Sequence, residues 1–194
     1  SIESENLLEI IAFNKKDEDT LNYYIEFLEG KTLEQIILKE ESIDYHEVKK
    51  IILQICNGLK SLHDQDILHR DIKPANIILL KDNLVKVIDF DISRKYDESK
   101  SKDTTLLGTP GYAAPEQYGF TQTDFRSDIY SLGITIEEFL NSCAKDVKFN
   151  FMNIIDKAKS MDVNNRFNNV DEIINILQKD NPEYFLNQLN QIND

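Results

Sequence analysis

Four polar residues close together in the sequence have the types and spacing of a phosphoryl-transfer site. Asp71 and Asn76 lie five residues apart with Lys73 between them, and Asp89 follows a short apolar run. A carboxylate can orient an attacking hydroxyl and accept its proton, hard oxygen ligands can hold Mg²⁺, and a cation can offset the charge of the transferred phosphate. The stretch supplies all three kinds of group, so phosphoryl transfer is the chemistry that it favours.

The residues around these four stand in an order that resembles protein kinases. Residues 69–76 read H-R-D-I-K-P-A-N and residues 89–91 read D-F-D, similar to the kinase catalytic loop H-R-D-x-x-x-x-N and the D-F-G element behind it. Residues 108–116, G-T-P-G-Y-A-A-P-E, resemble the end of a kinase activation segment. The resemblance covers residues 7–178.

The resemblance implies a role for each of the four polar residues. Asp71 would be the base or orienting carboxylate, Lys73 would contact the γ-phosphate, and Asn76 and Asp89 would hold Mg²⁺. Each also has an ordinary structural explanation, because aspartate and asparagine cap turns and a lysine before a proline can simply be solvated. The shared order of the motifs favours the functional interpretation, with ATP and Mg²⁺ as cofactors.

An adenine site is also implied by the resemblance. Ile25 would be the gatekeeper, the backbone of Glu26 and Leu28 would belong to the hinge that grips adenine, and Ile78 would form the floor of the pocket. Without the resemblance, residues 7–28 are only a β-hairpin around a charged turn; their distance from Asp71 favours the hinge.

Two further residues of the catalytic loop have implied structural or regulatory roles. His69 would pack against Phe90 in a hydrophobic spine and take no part in the chemistry. Arg70 would bind a phosphate placed on Thr104 or Thr105 in the polar stretch before Gly108, since a guanidinium suits bidentate phosphate contact. Its alternative is a surface ion pair.

The activation-segment end and the helix after it supply the remaining implied contacts. Asp128 would accept hydrogen bonds from the catalytic-loop backbone, and Glu116 and Arg166 would form a buried ion pair that is part of the scaffold. Thr109, together with Lys73, indicates serine or threonine as the phosphate acceptor, because tyrosine kinases of the family usually place other residues after the catalytic aspartate.

The predicted elements give an α+β, protein-kinase-like fold that is mainly helical with short β-hairpins. Most of the small N-terminal lobe is expected to be missing, so that residues 1–30 are its remnant and residues 31–194 are the C-terminal lobe. Predicted strands cover residues 7–13, 21–28, 77–80 and 84–88. Predicted helices cover a short segment from the cap Thr32 to Leu38 and residues 46–63, 127–140, 149–159, 170–177 and 182–189.

Composition narrows the partners. The 194 residues carry a formal net charge of −13, which argues against nucleic acid or anionic lipid as the main partner. Protein substrates are what the resemblance implies. Cys56 and Cys143 lie in apolar helical patterns and are expected to be reduced thiols of a cytoplasmic protein. No apolar run in this chain approaches membrane-spanning length.

The chain departs from the kinase pattern in two places. Its first glycine is Gly30, so no G-x-G-x-x-G loop precedes the hinge, and the only earlier lysines, Lys15 and Lys16, lie in a charged turn. Asp91 stands where the family usually has glycine. The I-D-F-D run also resembles small-molecule kinases of the aminoglycoside-phosphotransferase type, but those lack an A-P-E segment, so a protein kinase is favoured.

The sequence therefore predicts an ATP- and Mg²⁺-dependent protein serine/threonine kinase. This chain by itself is expected to be inactive and to self-associate through the hairpin of its first 30 residues, because a two-stranded sheet is marginal in water. The alternative from another class is a pseudokinase or an interaction module without catalysis.

Overall fold

The computed structural model describes residues 2–15, 21–89, 94–95, 108–118 and 123–179. The predicted α+β, kinase-like class is confirmed. The strands are short, and most of the other described residues lie in helices and turns. The strands are β1 (Ile10–Lys15), β2 (Leu21–Ile25), β3 (Gly30–Thr32), β4 (Ile67–Leu68), β5 (Ile77–Leu80), β6 (Val85–Val87) and β7 (Arg94–Lys95). The helices are α1 (Leu33–Leu38), α2 (Tyr45–His63), α3 (Phe125–Cys143), α4 (Met152–Ala158) and α5 (Val170–Lys179).

The core is built around the two 19-residue helices, α2 and α3. The predicted helix over residues 46–63 is confirmed, and it begins at Tyr45 because Asp44 caps it by accepting a hydrogen bond from the Glu47 amide at 3.0 Å. Helix α2 packs against α5 and β6, and α3 packs against α1 and α4. The apolar stripe of α2 is buried as the spacing predicts; its members are Val48, Ile51, Ile52, Ile55, Leu59 and Leu62.

A three-stranded antiparallel sheet, ordered β3-β5-β6, carries the segments that flank the polar loop. The predicted strands around residues 81–83 are confirmed as β5 and β6. Gly30 opens β3 opposite Leu80, and a Cβ at Gly30 would lie 2.4 Å from the Leu79 carbonyl oxygen. Only glycine therefore fits this close strand pairing.

The hairpin formed by β1 and β2 is antiparallel, as predicted, but its strands are shorter than the sequence indicates. The first strand begins at Ile10, because Leu7 is buried and forms a parallel bridge with Val87. The Leu8 amide donates to the Val87 carbonyl at 3.0 Å, and the Val87 amide donates to the Asn6 carbonyl at 2.9 Å. Residues 6–8 thus extend the sheet beyond β6, and the domain boundary near residue 30 stays a prediction.

Two of the later predicted helices differ from the structure in detail. The helix predicted over residues 149–159 is a 3₁₀ segment, Lys145–Phe151, followed by α4. Helix α5 is confirmed and begins after Asn169, whose side chain accepts from the Glu172 amide at 3.2 Å. The spacing Asn169-x-x-Glu172 predicts a capping box, but the Glu172 carboxylate accepts from the Asn168 amide instead of the Asn169 amide, so only half of that box forms.

At the short helix α1 the capping box is complete, with Thr32 and Gln35 bonded reciprocally as predicted for a Thr32 cap. The helix predicted over residues 182–189 lies outside the described residues. No helix in the described ranges is long and apolar enough to cross a membrane.

Candidate active site

A fully buried aspartate at the start of α3 holds the loop that carries Asp71. Asp128 Oδ2 accepts from the His69 amide at 2.8 Å, and Oδ1 accepts from the Arg70 amide at 2.7 Å. His63 Nε2 lies 2.9 Å from Oδ2. Burial alone raises the pKa of Asp128, but the hydrogen bond from His63 and the nearby histidine and amide groups outweigh it and lower that pKa. These are the backbone contacts that the resemblance implies for Asp128.

The loop takes an unusual backbone conformation at Arg70, which has a φ of 71°. Asp128 stabilises this conformation from one side, and Gln117 Nε2 donates to the Arg70 carbonyl at 2.8 Å from the other. The Arg70 side chain is buried. Its predicted phosphate partners, Thr104 and Thr105, lie outside the described residues. Gln117 was missed by the sequence reasoning, and its place beside Glu116 is no signal by itself.

Asp71 lies at the centre of a compact polar cluster. Its Oδ2 accepts from Lys73 Nζ at 2.7 Å and from Asn76 Nδ2 at 3.1 Å. Its Oδ1 accepts from the Thr109 amide at 3.1 Å and the Thr109 hydroxyl at 2.7 Å. Lys73 Nζ also donates to Thr109 Oγ1 at 2.8 Å, which closes the cluster. The structure therefore brings together Asp71, Lys73, Asn76 and Thr109.

The hydrogen bonds decide the charge of Asp71. Burial raises its pKa, yet the hydrogen bonds from Lys73 and Thr109 outweigh burial and hold the pKa of Asp71 below its usual value. A carboxylate offers about four lone-pair sites, and the four donors on Asp71 match that number. Asp71 is thus an oriented carboxylate anion, and an incoming hydroxyl must share an oxygen with one of these donors.

The sheet places Asn76 next to Ile88, the residue before Asp89. Asn76 ends a 3₁₀ turn, Pro74–Asn76, and its carbonyl accepts from the Ile88 amide at 2.9 Å. Both amide hydrogens of Asn76 point to Asp71, at 2.9 Å from the carbonyl oxygen and 3.1 Å from Oδ2, so its amide oxygen faces the other way. Asp89 has a φ of 70°.

A metal ion here would need ligands besides side chains. Across the ranges that the structure describes, no three histidine, cysteine, aspartate or glutamate side chains come close enough to hold a metal. Asn76 and Asp89 supply one amide and one carboxylate oxygen, which fits Mg²⁺ because that ion keeps several water or phosphate ligands. The donor chemistry therefore fits a magnesium–phosphate complex.

His69 is buried and has a fixed tautomer. Its Nδ1 lies 3.3 Å from the Asp71 amide, which can only donate, and its Nε2 lies 3.1 Å from the Ile88 carbonyl, which can only accept. The ring is therefore neutral with its hydrogen on Nε2, and burial lowers the pKa of His69. The ring ties Asp71 to the residue before Asp89; its predicted partner, Phe90, lies outside the described residues.

The end of the activation-like segment is fixed by a bidentate ion pair. Arg166 Nη1 and Nη2 lie 2.6 and 3.0 Å from the two oxygens of Glu116, and the Arg166 side chain has no exposed surface. Ser127 Oγ also donates to Glu116 at 2.8 Å. The resemblance implies this pair, and the structure contains it at the base of α3.

The residues on the hinge side of the candidate site are more exposed to solvent than the cluster around Asp71. Ile25 is 52% exposed, and Leu28 and Ile78 are partly buried. Glu26 Oε1 accepts from the Glu9 amide at 2.8 Å and from Lys86 Nζ at 2.7 Å. Lys86 was missed by the sequence reasoning, although a lysine between two valines in a buried strand is a signal that it needs an anionic partner.

Comparisons with known proteins agree with the motifs. The family model described as protein kinase domain matches residues 1–189. A probable serine/threonine-protein kinase of Clostridium perfringens is 30% identical over 207 residues, covering 92% of this chain and 30% of the relative. A probable serine/threonine-protein kinase PknB of Bifidobacterium longum is 35% identical over 136 residues, covering 68% of this chain and 20% of the relative.

A third relative, the serine/threonine-protein kinase PknB of Mycolicibacterium smegmatis, is 39% identical over 119 residues, covering 60% of this chain and 19% of the relative. The chain thus spans 30%, 20% and 19% of the length of these three relatives.

Proposed function

The chain belongs to the protein kinase domain family, and on that premise we propose that its Asp71 site serves phosphoryl transfer from MgATP to serine or threonine hydroxyls of proteins. The observation that carries the proposal is the closed cluster in which Lys73, Asn76 and Thr109 all contact the Asp71 carboxylate. A turn-capping aspartate needs one or two amide donors, whereas this one gathers a cation, an amide and a hydroxyl around a single anion.

Each residue of the cluster has a task in this reaction. Asp71 accepts the proton of the attacking hydroxyl and orients the oxygen of that hydroxyl towards the γ-phosphorus. Lys73, 2.7 Å from Asp71, offsets the negative charge that develops on the transferred group. Asn76 and Asp89 would hold Mg²⁺, which would neutralise part of the phosphate charge when bound.

The acceptor follows from the threonine that closes the cluster. The Thr109 hydroxyl donates to Asp71 at 2.7 Å and accepts from Lys73 at 2.8 Å, so the space beside Asp71 is narrowed by a branched side chain. A short aliphatic hydroxyl suits that space better than a phenol ring. Support also comes from the relatives, which are named serine/threonine-protein kinases.

This chain by itself is proposed to bind nucleotide weakly and to transfer no phosphate to protein. It carries the proposed metal ligands and hinge, but its sequence has no glycine before Gly30. Lys15, the last residue of β1, does not stand in a V-A-I-K-like run that would present it to the α- and β-phosphates. Kinase catalysis is mostly positioning and electrostatic stabilisation of those phosphates. The alternative, a pseudokinase or an interaction module, predicts that a longer gene product would not transfer phosphate either.

The exposed hairpin supports a proposal of self-association. Phe27, Phe13 and Ile11 are 92%, 70% and 64% exposed, and β1 and β2 pair only with each other within the described part of the chain. Exposed apolar residues beside open strand edges favour pairing with a second copy.

Regulation and location complete the proposal. Phosphate on Thr104 or Thr105 would pair with Arg70 and order the segment before Gly108. Full transfer activity in a Thr104→Ala/Thr105→Ala double variant would contradict this. A cytoplasmic location fits Cys56 and Cys143, which are both free thiols.

Phosphoamino-acid analysis tests the acceptor. Radiolabelled ATP and Mg²⁺ are supplied to this chain and, where the gene encodes residues ahead of Ser1, to the longer product. We expect no transfer to protein by the 194-residue chain and phosphoserine or phosphothreonine from the longer product. The Asp71→Asn variant of the longer product is the matched control and should lose the signal. A product dominated by phosphotyrosine would contradict the proposal.

A further inference from the structure

A buried lysine joins the hinge to the strand that leads to Asp89. Lys86 is 7% exposed and stands in the middle of β6 between two fully buried valines. Its Nζ lies 2.7 Å from Glu26 Oε1 and 3.1 Å from the Leu7 carbonyl oxygen. A buried ammonium is costly unless it is paired, so both contacts are needed to keep Lys86 in place.

The Glu26 carboxylate accepts from a second donor besides Lys86. The oxygen that accepts from Lys86 also accepts from the Glu9 amide at 2.8 Å, and the Glu26 amide donates to the Glu9 carbonyl at 3.1 Å. The carboxylate and the amide of Glu26 therefore both bond to the backbone of Glu9, and Lys86 holds that carboxylate in place. Burial raises the pKa of Glu26, but Lys86 and the Glu9 amide outweigh burial and lower that pKa, so Glu26 is held as a carboxylate.

A second lysine–glutamate pair in the same region shows what an ordinary contact looks like. Lys81, in the turn between β5 and β6, is bonded to Glu29, just past the hinge. These two side chains are 73% and 67% exposed, against 9% and 23% for Lys86 and Glu26. Surface pairs of this kind contribute little to structure. Lys81 and Glu29 thus form a matched comparison.

We propose that Lys86 is a positioning residue for nucleotide binding, which acts through Glu26 to hold the hinge backbone of residues 26–28 where it receives the base. The proposal rests on the proposed function and extends it to a residue that touches neither nucleotide nor metal. Lys86 lies in β6, which ends at Val87, two residues before Asp89.

The role predicts a selective defect. Without the ammonium, the Glu26 carboxylate loses its buried partner and the backbone of residues 26–28 is no longer fixed to β6. Binding of the base should weaken. Binding of a Mg²⁺–triphosphate group to Asn76 and Asp89 should not, because neither residue depends on Lys86 for a hydrogen bond.

The test is calorimetric titration of the whole chain with MgATP and with Mg²⁺–tripolyphosphate, which lacks a base. The variants are Lys86→Met, the conservative Lys86→Arg, and Lys81→Met as the matched control. We expect Lys86→Met to weaken MgATP binding about tenfold, equal to about 1.4 kcal/mol, with tripolyphosphate unchanged. Lys86→Arg should recover most of the affinity, and Lys81→Met should behave as the unmodified chain.

Amide hydrogen exchange gives a second measurement that needs no ligand. We expect the Glu9 and Glu26 amides to exchange faster in Lys86→Met and at the original rate in Lys81→Met. If Lys86→Met fails to fold, Glu26→Gln is titrated instead, because it keeps an acceptor for the Glu9 amide and removes only the charge.

The outcomes separate this inference from the proposed function. If the unmodified chain does not bind MgATP, the proposed function and the inference fall together. If it binds MgATP no better than tripolyphosphate, or if a folded Lys86→Met loses both ligands equally or neither, the inference alone is overturned. A loss confined to MgATP, with faster exchange at Glu9 and Glu26, supports it.

Discussion

The catalytic loop and the β1–β2 hairpin differ in how far their side chains are committed to the fold. At the loop, Asp71 and its neighbour Asp128 at the start of α3 are buried. Both oxygens of Asp71 and Oδ2 of Asp128 have two close polar contacts each, and Oδ1 of Asp128 accepts from the Arg70 amide. In the hairpin, Phe13 and Tyr23 face each other across the strands while 70% and 57% exposed. The side of the site proposed to bind metal and phosphate is therefore held by many contacts, whereas the side proposed to bind the base depends on a few contacts such as Glu26 with Lys86.

The largest effect is expected when the support of the loop is removed. Asp128→Asn replaces an anion that accepts from the His69 and Arg70 amides by a group that offers one acceptor and a competing donor. Removing one partner from a buried charged network costs roughly 3–5 kcal/mol, so we expect the unfolding free energy in urea to fall by about that amount.

Asp64→Asn is the matched control for this prediction. The Asp64 side chain is 56% exposed and, among the described residues, pairs with Lys60 alone in a surface ion pair, so its loss should cost under about 1 kcal/mol. Equal losses for the two variants would mean that the loop and the surface are held alike, and the contrast between the two regions would fail.

A smaller effect is expected from pH. Burial lowers the pKa of His69 in the folded chain, whereas the unfolded chain has a value near 6.5. The unfolded state therefore binds the proton first, and stability is lost as pH falls below about 6.5 towards the folded pKa. The lowered pKa values of Asp71 and Asp128 add a further loss below about pH 4, through the folded pKa values.

His69→Phe isolates the histidine contribution. This variant is less stable at every pH because the Asp71 amide and the Ile88 carbonyl lose their partner, but its unfolding free energy should fall less steeply between about pH 6.5 and 5. The unfolding free energy is measured by urea titration at each pH. If it fell with pH as steeply in His69→Phe as in the unmodified chain, burial would not be what holds His69 neutral.

The smallest effect on stability, and the largest on association, is expected in the hairpin. A Phe13→Ser/Phe27→Ser variant removes two exposed rings, so its unfolding free energy should change by only about 0.5 kcal/mol. Light scattering should show a lower mass than for the unmodified chain. Phe149→Ser is the matched control. Phe149 is 83% exposed but lies in the 3₁₀ segment Lys145–Phe151, outside the hairpin, so this variant should leave the mass unchanged. A monomeric unmodified chain would contradict the association proposal.

The sequence predicts the helical part of the fold well because its signals are local. The stripe on α2, the Thr32 cap and the Asn169 cap each depend on residues within one or two turns. The first strand was predicted to begin at residue 7 because the apolar pattern there suits pairing with β2 or with β6. Only the long-range bridge between Leu7 and Val87 decides between the two. Lys86 and Gln117 were missed for the same reason, since their partners are distant in sequence.

The site residues show the same division. Motif order indicated Asp71, Lys73 and Asn76, but not that the three close a ring with Thr109, 38 residues beyond Asp71. The hydrogen-bond count on Asp71, and hence its lowered pKa, is a property of the folded loop.

The most direct test of the account is whether Mg²⁺ strengthens ATP binding through Asp89. Calorimetric titration of the chain with ATP is carried out with Mg²⁺ and with chelator, and repeated with Asp89→Asn and with the control Asp82→Asn, in the turn before β6. We predict weak binding that Mg²⁺ strengthens about tenfold or more in the unmodified chain and in Asp82→Asn, and that loses this dependence in Asp89→Asn. Binding that is indifferent to Mg²⁺, or to Asp89, would contradict the assignment of this loop as a phosphoryl-transfer site.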